Sequence, residues 1–245
     1  MKRREQVDQG FRAIYILPNL FTAASIFTAV ISMVAALHGH YEKSAWLIFL
    51  SLLFDGLDGR VARLTHTTSR FGVEFDSLAD IVAFGVAPAL LVYTYIGESY
   101  GRFGIMVMAL YVIFGAIRLA RFNVMTPQTD PSVFIGVPIP TAAIFVAVWV
   151  LMFQHYPSLR HYEALLLVAV LGVALLMVSN IRYPSFKKIN LQKQMVKKTL
   201  ILLIAAASLL YLYPVEGFTL MVTLYLLWGV GRTLKTMMTR KRPKI

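Results

Sequence analysis

Eight apolar stretches, each about as long as a helix needs to cross a lipid bilayer, constrain this chain more than any other feature. A membrane-spanning helix takes roughly 17 to 25 mainly apolar residues. The stretches lie at residues 17–37, 44–64, 71–95, 103–122, 137–153, 162–179, 198–213 and 217–235, and the seventh is the shortest. The sequence therefore predicts an all-α, polytopic integral membrane bundle that forms one membrane-embedded domain over residues 1–245.

Composition agrees with a membrane protein and narrows its chemistry. Hydrophobic residues make up 58% of the chain, whereas an ordinary soluble domain is roughly 45 to 50% apolar. The chain contains no cysteine, which excludes disulfides, thiolate nucleophiles and cysteine metal sites together. Any catalytic or metal-binding group must therefore use oxygen or nitrogen.

The basic residues indicate how the chain is oriented. If the N-terminus is cytoplasmic and eight spans alternate, only Lys43, Arg102 and Arg160 of the 24 Lys and Arg residues face the outer side. Cytoplasmic segments of membrane proteins carry this excess of positive charge. The pattern predicts a multi-pass protein of the cell membrane with both termini in the cytoplasm, and it explains the net charge of +12 without a nucleic-acid partner.

Four aspartates interrupt the second and third apolar stretches. Asp55 and Asp58 are three residues apart and Asp76 and Asp80 are four apart, so each pair lies on one face of its helix. The short connection LTHTTS makes the two helices antiparallel neighbours. At a rise of about 1.5 Å per residue, Asp58 and Asp76 lie about 8 to 9 Å into their helices and Asp55 and Asp80 about 13 to 14 Å. We expect the four carboxylates to face one another.

Carboxylates at this depth need a polar environment. An aspartate at a helix centre costs about 2.5 to 3.5 kcal/mol on insertion scales, so the four should line a cavity open to the cytoplasm. Clustered carboxylate oxygens without Cys or nearby His suit Mg²⁺ or Mn²⁺. Two other interpretations remain open from the residues alone: ion pairs with Arg60, Arg63 or Arg118, and a proton or cation pathway through the bilayer.

The aspartates belong to a longer pattern, D-x2-D-G-x2-A-R-x8-G-x3-D-x3-D, that resembles the signature of the CDP-alcohol phosphatidyltransferases. It is satisfied without a gap by Asp55, Asp58, Gly59, Ala62, Arg63, Gly72, Asp76 and Asp80. The stretches FDSLADIVAFGVAPA, GAIRLARFNV, FIGVPIP and SNIRYPSFK make the chain most similar to the members that use serine, the CDP-diacylglycerol–serine O-phosphatidyltransferases. The resemblance covers about residues 15–190.

The resemblance implies an activity and assigns roles. It implies transfer of the phosphatidyl group of CDP-diacylglycerol to the hydroxyl of L-serine, with release of CMP, by a homodimer. It assigns a pair of Mg²⁺ or Mn²⁺ ions to Asp55, Asp58, Asp76 and Asp80, with Asp80 also the general base. Binding of the nucleotide and diphosphate falls to Asp58, Gly59, Ala62, Arg63 and Gly72. The alternatives are another acceptor (glycerol 3-phosphate, inositol phosphate or choline) and, in a different class, a cation transporter.

Two arginines at the cytoplasmic end of the fourth stretch are candidates for acceptor binding. Serine carries a carboxylate, which a guanidinium binds through paired hydrogen bonds. The segment RLARFN supplies Arg118 and Arg121. The alternative is that both only anchor the helix end at the lipid headgroups.

Overall fold

The computed structural model describes residues 16–65, 69–125, 133–184, 204, 207–208 and 210–240. Its longer helices are α1 Ile16–Leu37, α2 Tyr41–Leu64, α3 Arg70–Asp80, α4 Ala87–Tyr95, α5 Arg102–Met125, α6 Ile139–His155, α7 Glu163–Val178 and α8 Pro214–Arg240. A π-helix, Ile81–Val86, joins α3 to α4, and 3₁₀ turns occupy Gly97–Tyr100 and Pro157–Tyr162. The predicted all-α membrane bundle is confirmed.

Within the described part of the chain, five helical stretches are long and apolar enough to cross a membrane. They are Pro18–Leu37, Arg70–Tyr95, Arg102–Val124, Pro157–Val178 and Pro214–Thr233. Helix α2 has the length, 24 residues, but carries charged residues in its second half, and α6 is shorter at 17 residues. Each predicted stretch except 198–213 coincides with one of these helices, and most of 198–213 lies outside the described residues. The total of eight spans therefore stays a prediction.

Buried hydroxyl groups fix α1 against α2. Thr28 Oγ1 lies 2.7 Å from Ser51 Oγ, and Ser32 Oγ lies 2.9 Å from Ser44 Oγ. Ser25 donates to the Ser51 carbonyl while Ser51 donates back to the Ser25 carbonyl, both at 3.1 Å. Hydrogen bonds between helices in lipid contribute about 0.6 kcal/mol each. Because they bond only at one register, they set the height at which the α2 aspartates lie.

Helix α3 begins at a capped turn. Ser69 has an extended backbone, and its hydroxyl accepts a hydrogen bond of 2.9 Å from the Gly72 amide. A serine at this position satisfies one of the amides that the first helical turn leaves without a partner. The cap fixes where α3 starts, and therefore where Asp76 and Asp80 lie opposite α2.

A short pair of strands, which the sequence did not predict, closes the same end of the bundle. β1 (Val133–Ile135) pairs antiparallel with β2 (Arg182–Pro184). Gly136 follows β1 with φ +75°, and a Cβ there would lie 2.2 Å from the Met177 carbonyl oxygen, so only glycine fits. The pairing ties the start of α6 to the end of α7.

Helix α8 runs from the opposite end of the bundle toward the aspartates. Near its start, Glu216 accepts a hydrogen bond from Tyr156, which follows α6. Past the middle of the helix, Gly229 lies against the Tyr183 ring so closely that a Cβ would come within 2.0 Å of it. Helix α7 ends at the aspartate end and α8 begins at the far end, which is the arrangement that alternating spans predict.

Candidate active site

The structure brings together three of the four predicted carboxylates. Asp55 on α2 and Asp76 and Asp80 on α3 each offer an oxygen within 4.8 Å of the other two. Asp80 Oδ1 is buried and, in the described part of the chain, accepts no hydrogen bond. The helical spacing read from the sequence therefore places these three groups as expected.

This cluster fits a hard divalent cation. The three carboxylates each offer an oxygen to a common position, and Asp80 Oδ1 is buried there without a hydrogen-bond partner among the described residues. A buried carboxylate oxygen without a partner is costly, and a bound cation would remove that cost. Oxygen ligands from carboxylates are those that Mg²⁺ prefers. The donor set therefore agrees with the predicted metal, while the number of ions stays a prediction.

The fourth aspartate, Asp58, faces a different neighbour. Its Oδ2 accepts a hydrogen bond of 2.7 Å from Thr22 Oγ1 on α1, and its side chain is 5% exposed. The same Thr22 hydroxyl lies 3.2 Å from the Pro18 carbonyl oxygen. Helix α1 thus holds the α2 carboxylate nearest the end of the bundle, which the analysis of α2 and α3 alone did not predict.

A cavity of about 200 Å³ opens beside the cluster at the ends of α1, α2 and α3. Its lining includes all the residues predicted to bind nucleotide or diphosphate: Asp58, Gly59, Ala62, Arg63 and Gly72. Helix α1 adds Pro18, Asn19 and Thr22, and Ser69, Val73 and Asp76 complete it. Since Asp76 belongs to both the cavity and the carboxylate cluster, the two form one continuous site.

Gly59 leaves the α2 backbone open to the cavity. A Cβ at this position would meet only the Arg63 guanidinium, at 3.5 and 3.9 Å, which is ordinary contact. Helix packing therefore does not require glycine here. The space that a side chain would fill belongs to the cavity, so the glycine permits a ligand to approach the helix backbone.

Arg118 lies beside the carboxylate cluster. It is only 7% exposed, and its guanidinium lies 5.3 Å from the centre of the Phe122 ring. Its charge interacts with Asp80 and with Tyr225 of α8. The described structure therefore presents a buried positive group within electrostatic range of Asp80.

Arg121, one turn further along α5, makes four hydrogen bonds. Its guanidinium donates to the backbone carbonyls of Ile135, Val178 and Ser179 at 3.1 to 3.2 Å and to Asn180 Oδ1 at 3.3 Å. Ile135 is the last residue of β1, Val178 is the last residue of α7, and the other two partners come directly after α7. Arg121 thus joins α5 to the end of the bundle where β1 and β2 pair, and it contacts no carboxylate of the cluster.

Tyr183 is a polar residue near this end that the sequence analysis did not single out. Its ring is fully buried against α8, and its centre lies 5.3 Å from the centre of the Tyr225 ring of that helix. Burial raises the pKa of its hydroxyl to about 12, so the group stays protonated at neutral pH. That hydroxyl has no hydrogen-bond partner within the described residues. In the sequence it lies within SNIRYPSFK, and no spacing in that segment marks it as a functional residue.

Fold and site together define an integral membrane protein whose carboxylate cluster adjoins a cavity at one end of its bundle. The family model for CDP-alcohol phosphatidyltransferase matches residues 15–174. The chain belongs to this family, and the matched region contains the whole aspartate motif and both candidate arginines.

Curated relatives cover most of the chain. A CDP-diacylglycerol–serine O-phosphatidyltransferase of Helicobacter pylori is 50% identical over 222 residues, which is 90% of this chain and 92% of that protein. One of Methanocaldococcus jannaschii is 32% identical over 222 residues, 90% of this chain and 96% of that protein. An archaetidylserine synthase of Methanothermobacter thermautotrophicus is 34% identical over 179 residues, 72% of this chain and 73% of that protein.

Proposed function

We propose that the protein transfers the phosphatidyl group of CDP-diacylglycerol to the hydroxyl of L-serine and releases CMP. The observation that carries the proposal is the continuity of the cavity with the carboxylate cluster through Asp76. A liponucleotide needs a pocket for its nucleotide and charge compensation for its diphosphate, side by side at the membrane surface. The names of the relatives described above all include serine, which favours serine over other acceptors.

Asp55, Asp58, Asp76 and Asp80 would hold Mg²⁺ or Mn²⁺, as one pair of ions. When bound, such ions neutralise the diphosphate and stabilise the oxygens that attack and leave. The buried, unpartnered Asp80 oxygen supports this assignment. Asp58 lines the cavity, and Thr22 of α1 holds its Oδ2 by a hydrogen bond.

The remaining residues of the motif bind and orient the donor. Gly59, Ala62 and Gly72 leave room for the nucleotide, and Arg63 faces the cavity, where its guanidinium can contact phosphate. The serine hydroxyl attacks the phosphorus nearer the lipid and the bond to CMP breaks. A serine hydroxyl is a poor nucleophile at neutral pH, so a base must take its proton. Asp80, the deepest carboxylate of α3, is that base.

Of the two arginines, Arg118 is our proposed ligand for the serine carboxylate. It lies within electrostatic range of Asp80, whereas the guanidinium of Arg121 is occupied by carbonyl groups. A guanidinium can bind a carboxylate through two parallel hydrogen bonds, which an ammonium group cannot reproduce. In this assignment Arg121 has a structural role near the same site.

The Arg118→Lys variant should raise the KM for serine by about tenfold, equivalent to about 1.4 kcal/mol, and leave the KM for CDP-diacylglycerol nearly unchanged. Arg121→Lys is the matched comparison. It should lower thermal stability, because lysine cannot reach all four acceptors, and shift both KM values alike. Steady-state kinetics with each substrate varied in turn checks both variants. If Arg121→Lys raised only the KM for serine and Arg118→Lys left that KM unchanged, the two assignments would be reversed.

The cellular arrangement is also a proposal. Most Lys and Arg residues lie in the segments that alternating spans place in the cytoplasm, which supports a site that opens to the cytoplasmic face of the cell membrane. Family resemblance supports a homodimer. A cation transporter is disfavoured because its carboxylates would continue across the bilayer, whereas these aspartates all lie in the halves of α2 and of the Arg70–Tyr95 span that are nearest the loop joining them.

An acceptor panel tests the proposed reaction. Purified protein in detergent is given CDP-diacylglycerol and Mn²⁺ or Mg²⁺, then serine, glycerol 3-phosphate, inositol phosphate or choline, and CMP is measured. Of the four alcohols, we expect only serine to support CMP release at a substantial rate. Release of CMP with a different alcohol would change the proposed acceptor and leave the proposed transfer reaction in place. No release with any alcohol, together with ion transport in vesicles, would overturn the proposal.

A further inference from the structure

The third span changes its helical geometry directly after Asp80. The π-helix Ile81–Val86 begins at the next residue, and its cap bond runs from the Ala87 amide to the Val82 carbonyl, five residues back. A π turn contains about one residue more than an α turn, so the helices on its two sides are rotated by about 100° relative to an uninterrupted α-helix. The π-helix thus sets the rotation of α3, with Asp76 and Asp80, relative to α4.

The sequence contains a reason for this change. Pro88 lies four residues after Phe84 and has no amide hydrogen, so it cannot donate the α-helical bond to the Phe84 carbonyl. The proline ring would also clash with that carbonyl in a regular α-helix. Inside a membrane, a backbone carbonyl that loses its helical partner needs another donor.

Tyr111 of α5 supplies that donor. Its side chain is fully buried, and its hydroxyl donates a hydrogen bond of 3.2 Å to the Phe84 carbonyl oxygen. The hydroxyl therefore contacts the π-helix at the carbonyl group that Pro88 leaves without its usual partner. This contact joins the π-helix to α5, because the Phe84 carbonyl accepts from a side chain of α5.

The same face of α5 continues to the carboxylate cluster. Tyr111, Gly115 and Arg118 are four and three residues apart and so share one face of the helix. Gly115 lets Ile139 approach: a Cβ on Gly115 would lie 2.6 Å from Ile139 Cδ1, which also packs near Gly85 of the π-helix. Arg118, further along, interacts with Asp80. One face of α5 therefore contacts both the π-helix and the surroundings of Asp80.

We propose that Tyr111 is a positioning residue for Asp80. By holding the Phe84 carbonyl, its hydroxyl maintains the π-helix and with it the rotation of α3 that directs Asp76 and Asp80 toward Asp55. The proposal deepens the proposed function, since it rests on these carboxylates binding the metal ions. It assigns to a buried tyrosine, outside the aspartate motif, control over the geometry of the metal ligands.

Tyr111→Phe removes the hydroxyl and keeps the ring. Tyr41→Phe is a matched control, because the Tyr41 hydroxyl donates a bond of 2.9 Å to the Thr94 carbonyl at the opposite end of the same span. Three measurements are compared with the wild-type protein: thermal stability, the Mn²⁺ dissociation constant from electron paramagnetic resonance without substrate, and CMP release at saturating metal.

We expect both variants to lose similar stability. Tyr111→Phe should also weaken Mn²⁺ binding by about tenfold and lower CMP release, whereas Tyr41→Phe should change each by less than about twofold. Unchanged Mn²⁺ affinity in Tyr111→Phe, or equal losses in both variants, would overturn the proposal. Failure of Tyr111→Phe to fold would also count against it, because the hydroxyl would then serve the whole bundle.

The wild-type protein separates this inference from the function on which it rests. If the wild type binds Mn²⁺ but none of the alcohols supports CMP release, the proposed reaction fails. The comparison of Mn²⁺ affinities then still decides the role of Tyr111. If the wild type binds no Mn²⁺ either without or with CDP-diacylglycerol, both proposals fail.

Discussion

Replacing Asp80 with asparagine should reduce serine-dependent CMP release by about 10²- to 10⁴-fold, the usual contribution of a general base. Asparagine keeps the size of the side chain and one oxygen ligand but cannot accept the serine proton. Binding of CDP-diacylglycerol should remain measurable, because the cavity that receives the nucleotide is lined by other residues. Initial-rate kinetics and liponucleotide binding to the same preparation check the two parts.

Glu74→Gln is the control for this variant. Glu74 lies on the same helix, α3, and is exposed, so its replacement removes one negative charge outside the site. It should retain nearly wild-type turnover. Full activity of Asp80→Asn, or an equal loss in Glu74→Gln, would refute the assignment of Asp80 as base.

Removal of divalent metal should abolish turnover. The clustered carboxylates of Asp55, Asp76 and Asp80 would repel both one another and a diphosphate unless cations neutralise them. Excess EDTA should therefore stop CMP release, and Mg²⁺ or Mn²⁺ added beyond the chelator should restore it. CMP release is followed before chelation, after it and after the metal is returned.

Chelation needs a control of its own. EDTA saturated with Mg²⁺ beforehand should leave the rate unchanged, which excludes an effect of the chelator on detergent or lipid. Sustained turnover after complete removal of divalent ions would show that the carboxylates serve some other purpose.

Local spacing sufficed to predict the carboxylate cluster. The offsets between Asp55 and Asp58 and between Asp76 and Asp80 are properties of one helix each, and the short loop fixed how the two helices meet. Such arguments need only the helical repeat and the rise per residue. The cluster of Asp55, Asp76 and Asp80 follows from them, whereas the residues that line the cavity were indicated by the family resemblance.

Contacts between distant helices could not be predicted in this way. The Thr22 hydroxyl reaches Asp58 across 36 positions of sequence, and nothing in either helix specifies which α1 residue lies opposite. The same limit applies to Arg121: its four acceptors lie at the end of β1 and around the end of α7, which tertiary packing brings together. RLARFN alone therefore gave equal standing to Arg118 and Arg121.

The π-helix is an intermediate case. Pro88 in the third span already indicates that the α-helical bonding of Phe84 is interrupted. Sequence alone does not determine whether the helix kinks, breaks or forms a π turn there. The outcome depends on which neighbouring helix donates a hydrogen bond to the freed carbonyl. That neighbour, Tyr111, becomes visible only when α5 is packed against the third span.

Direct titration of the purified protein with Mn²⁺, followed by electron paramagnetic resonance, tests the central claim that these carboxylates form a divalent-metal site. The wild type should bind two ions that EDTA removes, and the triple variant Asp55→Asn, Asp76→Asn, Asp80→Asn should bind none at the same concentrations while remaining folded. Equal Mn²⁺ binding by the two proteins, or no saturable binding by the wild type with CDP-diacylglycerol present, would contradict the claim.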